Sequence, residues 1–306
     1  MSTQPGEPML LVEHGSDEVT SAPVVSRGRL VLRRFWRRRM AVIGLVVIVA
    51  LFFFAFVGPY FTKWSYSELD VSASLSPPNG THWFGTNELG QDMYAQAMRG
   101  LQKSLLIGVL GALLATTIAA ILGSLAGYFG SASDRIVVIV IDLLLILPGF
   151  LIIAVLSPLF RGKTWLVFVL LLAVFQWMLT ARVVRGLTLS LKEREFVSAA
   201  RFMGVGRWKI IFRHILPNMA SFLIIDATLN VSALILAEVA LSFFGFGIRP
   251  PDVSLGTLIQ QGVTSYNTFW WLFYIPAALV VVLSLAVNLV GDGLRDALDP
   301  NARLDD

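Results

Sequence analysis

The chain has 306 residues, no cysteine, only three histidines, and charged side chains at 14% of positions, where a soluble domain has about a quarter. Each shortage excludes something. Without cysteine there is no disulfide framework, no thiolate nucleophile and no cysteine-based metal site. His14, His82 and His214 lie in separate polar stretches. None pairs with a serine inside an apolar run, and there is no His-Glu-x-x-His or paired-aspartate motif, which argues against an intramembrane protease. No zinc-finger or aromatic-basic pattern points to nucleic acid. The one segment that ends like a phosphate-binding loop, Ser157-Pro-Leu-Phe-Arg-Gly-Lys163-Thr164, has serine where the first glycine is needed, and no strand–loop–helix unit surrounds it. Nothing else in the chain could cradle a nucleotide.

What is abundant is apolar: 56% of residues are hydrophobic, so the chain reads as an integral membrane protein. Residues 1–26 mix Pro, Gly, Ser, Glu and Asp without periodicity, and the reading here is a flexible basic tail over 1–39 leading into a membrane domain over 40–306. Arg27, Arg29, Arg33, Arg34, Arg37, Arg38 and Arg39 stand directly before the first apolar run, which places the amino terminus in the cytoplasm. The hydropathy pattern predicts six spans, at 40–61, 105–129, 136–156, 166–181, 218–246 and 269–289, with a Pro148-Gly149 kink in the third. Of 24 basic residues, only Lys63, Arg99, Lys103, Arg161, Lys163 and Arg249 then fall outside. Both termini are expected in the cytoplasm.

A polar insert over 187–217 separates the fourth and fifth apolar runs. Read as a helix, it sets Phe196, Ala199, Ala200 and Met203 on one narrow apolar stripe, away from Glu195, Ser198 and Arg201. Gly204 and Gly206 can supply the backbone angles that end it, and a second helical stretch leads to Leu216-Pro217. An amphipathic stretch of this kind either lies on the lipid surface or plugs into a partner protein. The order Ala199-Ala200, Gly204, Leu216-Pro217 resembles the cytoplasmic loop of permease subunits of bacterial ATP-binding-cassette (ABC) importers, with Ser198 in place of that pattern's glutamate and His214 in place of its isoleucine. Glu195, three positions upstream, is the candidate replacement carboxylate.

Two further stretches are similar to the C-type permease of peptide importers. Trp83-Phe-Gly-Thr-Asn87-Glu-Leu-Gly-Gln91-Asp92 matches the segment before its second span, with Asn87 and Gln91 replacing Asp and Arg. Glu238, Leu241-Ser242-Phe243, Gly245, Gly247, Pro250-Pro251, Ser254 and Gly256 match its Glu-x-x-Leu-Ser-Phe-Leu-Gly-Leu-Gly, Pro-Pro, Ser-Trp-Gly pattern, with Leu255 for Trp. The tail from Gly291 to Pro300 matches as well. The resemblance implies a type I importer permease fold, a non-catalytic subunit, and a loop docked in a groove on an ATPase. It also implies a second, B-type permease as partner, two ATP-binding subunits or domains that hold the ATP and Mg, an extracytoplasmic peptide-binding protein and a place in the cytoplasmic membrane. No cofactor is expected on this chain itself. The resembling family also imports nickel, glutathione and haem.

Carboxylates within the apolar runs cost about 2.5–3.5 kcal/mol each on insertion scales, so Asp142, Asp226 and Glu238 are expected to face protein or water. They could pair with polar groups on neighbouring helices, line a cargo path, or relay protons as in a secondary transporter. Asp226 and Asn230 share a face, with Gln176 available on another helix, and no intramembrane basic residue is an obvious counter-charge.

Overall fold

A computed structural model describes residues 27–160 and 165–299; the tail over 1–26 and the second half of the phosphate-loop-like segment, 161–164, lie outside the described residues. Its elements are helical. They are α1 (Arg27–Arg37), α2 (Arg39–Phe56), α3 (Met93–Phe129), α4 (Ser131–Ile146), α5 (Gly149–Leu156), α6 (Trp165–Leu191), α7 (Glu195–Phe202), α8 (Arg207–Ile210), α9 (Leu216–Asn218), α10 (Ala220–Phe243), α11 (Leu255–Gly262) and α12 (Trp271–Leu298). Five helices, α2, α3, α6, α10 and α12, are long and apolar enough to cross a membrane; the bent pair α4 and α5 makes a sixth crossing if counted as one span.

The break in that pair is a consequence of Pro148. A residue before proline is pushed out of the helical region, and Leu147 is extended with ψ at 130°. The two helices meet at 80°, and α5, with 8 residues, is too short to cross alone. The expected kink is therefore a full break.

α3 is the central post. Its 37 residues reach about 55 Å, well beyond a hydrocarbon core of about 30 Å. It begins at Met93 rather than at the expected 105, because Asp92 caps it by accepting from the Ala95 amide at 2.8 Å. Small residues let α6 and α10 approach it. A Cβ at Gly123 would lie 2.6 Å from the Ala181 carbonyl, one at Gly127 would lie 2.7 Å from Thr188 Cβ, and one at Gly108 would meet Ile235 at 2.6 Å. These three glycines thus serve packing inside the subunit.

At the end of the bundle where α2 finishes and α3 begins, a cap is built from residues 57–92, 244–254 and α11. The Asn87 side chain accepts from the Leu89 and Gln91 amides and donates to Gln91 Oε1 at 2.9 Å. An amide pair therefore joins the two positions at which the peptide-permease pattern has a carboxylate and a guanidinium. Trp271 Nε1 donates to the Thr86 carbonyl and ties the cap to α12. His82 is buried between Trp64, with ring centroids 4.7 Å apart, and Asp92, at 2.9 Å.

At the opposite end, α1 lies against the last turn of α12. The basic stretch expected as part of a tail is helical here, because Val31 and Phe35 fall on one face and pack with Ala41, Val290 and Ala297. Arg34 donates to the Asp299 carbonyl, and Arg38 lies 3.5 Å from Asp296.

Candidate functional site: an amphipathic loop and two polar clusters

The loop between α6 and α10 sits at the α1 end of the bundle. α7 closes with a Schellman turn: the Val205 amide donates to the Ala200 carbonyl, the Gly204 amide donates to the Arg201 carbonyl, and Gly204 has φ at +75°. Val205 and Ala200 then meet in one apolar cluster, the contact that accompanies this motif. Gly206 behaves differently. Its φ of −59° is open to any residue, and its carbonyl starts α8 by accepting from the Ile210 amide, so it begins the next helix rather than ending α7.

The Leu216-Pro217 step has a backbone reason of its own. A proline inside a helix clashes with the carbonyl four residues back. Residues Ile211–Ile215 relieve this by winding as a π-helix, whose last bond runs from the Leu216 amide to the Ile211 carbonyl. Asn218 Nδ2 donates to the His214 carbonyl at 2.6 Å. The connection into α10 is thus continuous and braced, not a loose link.

α7 has two apolar arcs where one was expected. The inward arc is Val197, 0% exposed, and Ala200, 1% exposed; they pack with Val184, Ile210, Ile215 and Met219, and with the partly buried Tyr128 and Leu187. The outward arc is Phe196, Ala199, Met203 and Phe202, the last two 75% and 92% exposed. Ala200 therefore belongs to the loop's own core, and the expected four-residue stripe is corrected to three plus Phe202. At 100° per residue Phe202 falls 60° from Ala199, a neighbour the single-stripe reading passed over. Glu195 is exposed at the first turn of α7. Lys192 Nζ donates to the Gly127 carbonyl, Trp208 rests edge-on to Phe129, and Leu216 packs beneath. The loop is fixed to the ends of α3, α6 and α10.

Inside the bundle the acids occupy three separate places. Asp226 accepts from Thr116 at 3.2 Å, Thr180 at 2.9 Å and Asn230 at 2.8 Å, and Asn230 accepts from Gln176 at 2.8 Å. This cluster joins α3, α6 and α10 and is only partly buried. Glu238 lies on α10 twelve residues on, about 18 Å away along the helix, and is 0% exposed. It accepts from Ser104 at 3.0 Å and from Ser242 at 2.6 Å, and Ser254 lies 3.4 Å from Ser242. Three residues matched to one motif, Glu238, Ser242 and Ser254, thus converge, and the cluster ties α11 to α3 and α10. Arg99 and Lys103 both reach Asp252 at 3.0 Å and fasten the same segment from outside.

Asp142 departs from expectation, since it has a counter-charge. Arg182 pairs with it, and both side chains are about half-exposed. α6 does not stop at 181 but runs on to Leu191, so that Arg182 and Arg185 face α4, where Arg185 pairs with Asp134. Thr180 and Arg182 are two residues apart, 200° around α6, so Asp226 and Asp142 touch opposite faces of that helix. Ser157 spends its hydroxyl on the Phe246 carbonyl.

A bundle with five or six apolar helical crossings describes a multi-span membrane protein, and the chain belongs to the family of binding-protein-dependent transport system inner membrane components, which it matches over residues 119–304. Residues 26–78 match the N-terminal membrane domain of oligopeptide transport permease C. Among relatives, the chain is 54% identical over 279 residues to the oligopeptide transport system permease protein OppC of Mycobacterium tuberculosis, covering 91% of this chain and 96% of that one. It is 33% identical over 289 residues to the OppC of Bacillus subtilis, covering 94% of each.

Proposed function

We propose that the chain is the C-type membrane subunit of an ATP-driven peptide importer and that α7 is its contact with the ATPase. The peptide cargo follows the relatives' names. In this reading the chain crosses the inner membrane six times with both termini in the cytoplasm, pairs with a B-type permease of like topology, and receives peptide from an extracytoplasmic binding protein. ATP and Mg reside in two partner ATPase subunits or domains, and this chain is non-catalytic and binds no cofactor.

The observation that carries the proposal is the outward arc of Phe196, Ala199, Phe202 and Met203 on a helix whose other face is locked into the bundle. Large apolar side chains at a loop tip mark an interaction surface, and the inward arc lets motion of that surface reach α3, α6 and α10 as a rigid lever. Coupling then requires only that the ATPase groove bind α7 differently in its open and closed states. A proton relay through the acids is the weaker reading, because Asp142, Asp226 and Glu238 lie in three separate places, two in polar clusters and Asp142 in an ion pair with Arg182.

The test uses the absence of cysteine. Met203→Cys in the assembled complex should crosslink to a cysteine in the ATPase groove with and without nucleotide, while cysteines flanking Asp142 and in the partner permease change separation on ATP binding. Failure of the Met203 crosslink with normal uptake would place α7 on lipid instead. Uptake driven by a pH gradient alone, without ATP, would favour the secondary transporter.

A further inference from the structure

We propose that α1 is a binding site for the headgroups of anionic phospholipids, held by Arg29, Arg33 and Arg37. These three follow one another at four-residue intervals, so on an α-helix they form a single row. The row adjoins Leu32 and Trp36, each 56% exposed, and lies away from Phe35, which is buried against α12. The arginines of this stretch are divided by task. Arg34 and Arg38 are spent on the end of the chain, at the Asp299 carbonyl and at Asp296. Among the described residues, no acceptor is recorded for Arg29, Arg33 or Arg37.

The chemistry of that surface favours a lipid occupant. Tryptophan is at home in the interfacial layer, where its ring is apolar and its N–H wet, and a leucine beside it continues the same apolar edge. A guanidinium fork matches phosphate oxygens two at a time, and its alkyl stem lies along the apolar edge while its head reaches the headgroup plane. α1 also runs, with only Arg38 between, into α2, a candidate span. The row is therefore held at the level where a span enters the bilayer. An acidic protein surface could meet three arginines, but nothing in that case would call for Leu32 and Trp36 alongside.

The experiment reconstitutes the full-length chain in phosphatidylcholine bilayers containing a small fraction of brominated phosphatidylglycerol or, separately, brominated phosphatidylcholine. The quenching of Trp36 is read as the difference between the native chain and Trp36→Phe. The anionic lipid should quench at a far lower mole fraction. Replacing all three arginines by glutamine should abolish a preference on the order of 100-fold, at about fivefold per arginine near an anionic surface, while replacing them by lysine should keep most of it. Raising salt should weaken it, as screening of exposed charges requires. Soluble glycerol phosphate, at the same headgroup concentration, should not compete. Equal quenching by the two lipids in the native chain, or a preference that survives the glutamine variant, would overturn the proposal. So would a lysine variant as impaired as the glutamine one, since a headgroup site keeps its charge, and so would displacement by soluble glycerol phosphate, which would identify a phosphate site and not a lipid site.

Discussion

α1 and α7 are both short amphipathic helices at the same end of the bundle, and both leave aromatic side chains exposed. They differ in what surrounds those side chains. On α1, Trp36 and Leu32 border an unbroken row of arginines. On α7, the outward arc of Phe196, Ala199, Phe202 and Met203 is flanked by Glu195, Ser198 and a single Arg201. A one-signed border suits a charged sheet of headgroups, whereas a mixed border with a bare apolar centre suits a groove in a protein, whose core excludes charge and whose rim is polar. Their attachments differ in parallel. α1 is held by Val31, Phe35 and Arg34 against the start of α2 and the end of α12, whereas α7 is built into the packed ends of three helices.

The largest effect should come from charging the inward arc of α7. Val197→Glu places an unpaired carboxylate among Val184, Ile210 and Ile215 and should cost several kcal/mol locally, detaching the loop and abolishing both ATPase recruitment and uptake. Ala200→Glu should do the same. For that reason it reports on the loop's folding and not, as the one-stripe reading implies, on docking. The variant that separates the two is Phe202→Glu. At a position so exposed it should leave expression and melting unchanged and still lower ATPase copurification at least tenfold. Equal recruitment by native and Phe202→Glu subunits would remove the outward arc from the contact.

Much of this region can be read from the chain, and the part that cannot has identifiable causes. Gly204 is legible because only a few residues tolerate positive φ and a helix stop needs one. Phe202 is not, because the i, i+3, i+4, i+7 spacing picks out one narrow stripe on a helix that is apolar over more than half its girth, and only packing tells which arc faces home. α1 is hidden by its arginines, although Val31 with Phe35 and Leu32 with Trp36 already mark two neighbouring faces. Arg182 is missed as a partner for Asp142 because hydropathy locates the end of the apolar run and not the end of the helix, which continues ten residues farther. The bonds among Glu238, Ser242 and Ser254 join residues whose spacing the motif displays but whose convergence depends on the turn between α10 and α11.

The next effect tests the division between the two intramembrane clusters. Glu238→Ala leaves the Ser104 and Ser242 hydroxyls without their acceptor in a fully buried site, about 1–3 kcal/mol for each group so stranded. Thermal unfolding of the purified subunit should therefore begin at lower temperature, with loosening of the cap around α11. Asp226→Asn should be milder. An amide oxygen can still accept from Thr180, so a loss of about 1 kcal/mol is expected, and the dependence of uptake on ATP should stay as it is. A larger loss for Asp226→Asn than for Glu238→Ala would mean that the partly buried cluster, and not the sealed one, holds the helices together.

The smallest pair of effects lies within the loop itself. Gly204 and Gly206 are two residues apart, and neither would crowd a neighbour with an added Cβ, so sterics from outside cannot distinguish them. Backbone geometry can. At φ of +75°, Gly204→Val should strain the Schellman turn by about 1–2 kcal/mol, and Gly204→Asn by less, because asparagine tolerates that region. At φ of −59°, Gly206→Ala meets no such barrier and should change stability by under about 0.5 kcal/mol, with any shift toward greater stability, since alanine narrows the unfolded ensemble. Uptake should fall for Gly204→Val, partly recover for Gly204→Asn, and remain at the native level for Gly206→Ala. If Gly206→Ala proved as damaging as Gly204→Val, the loop would need freedom of motion at both glycines, and its action as a rigid lever from the outward arc into α3, α6 and α10 would have to be given up.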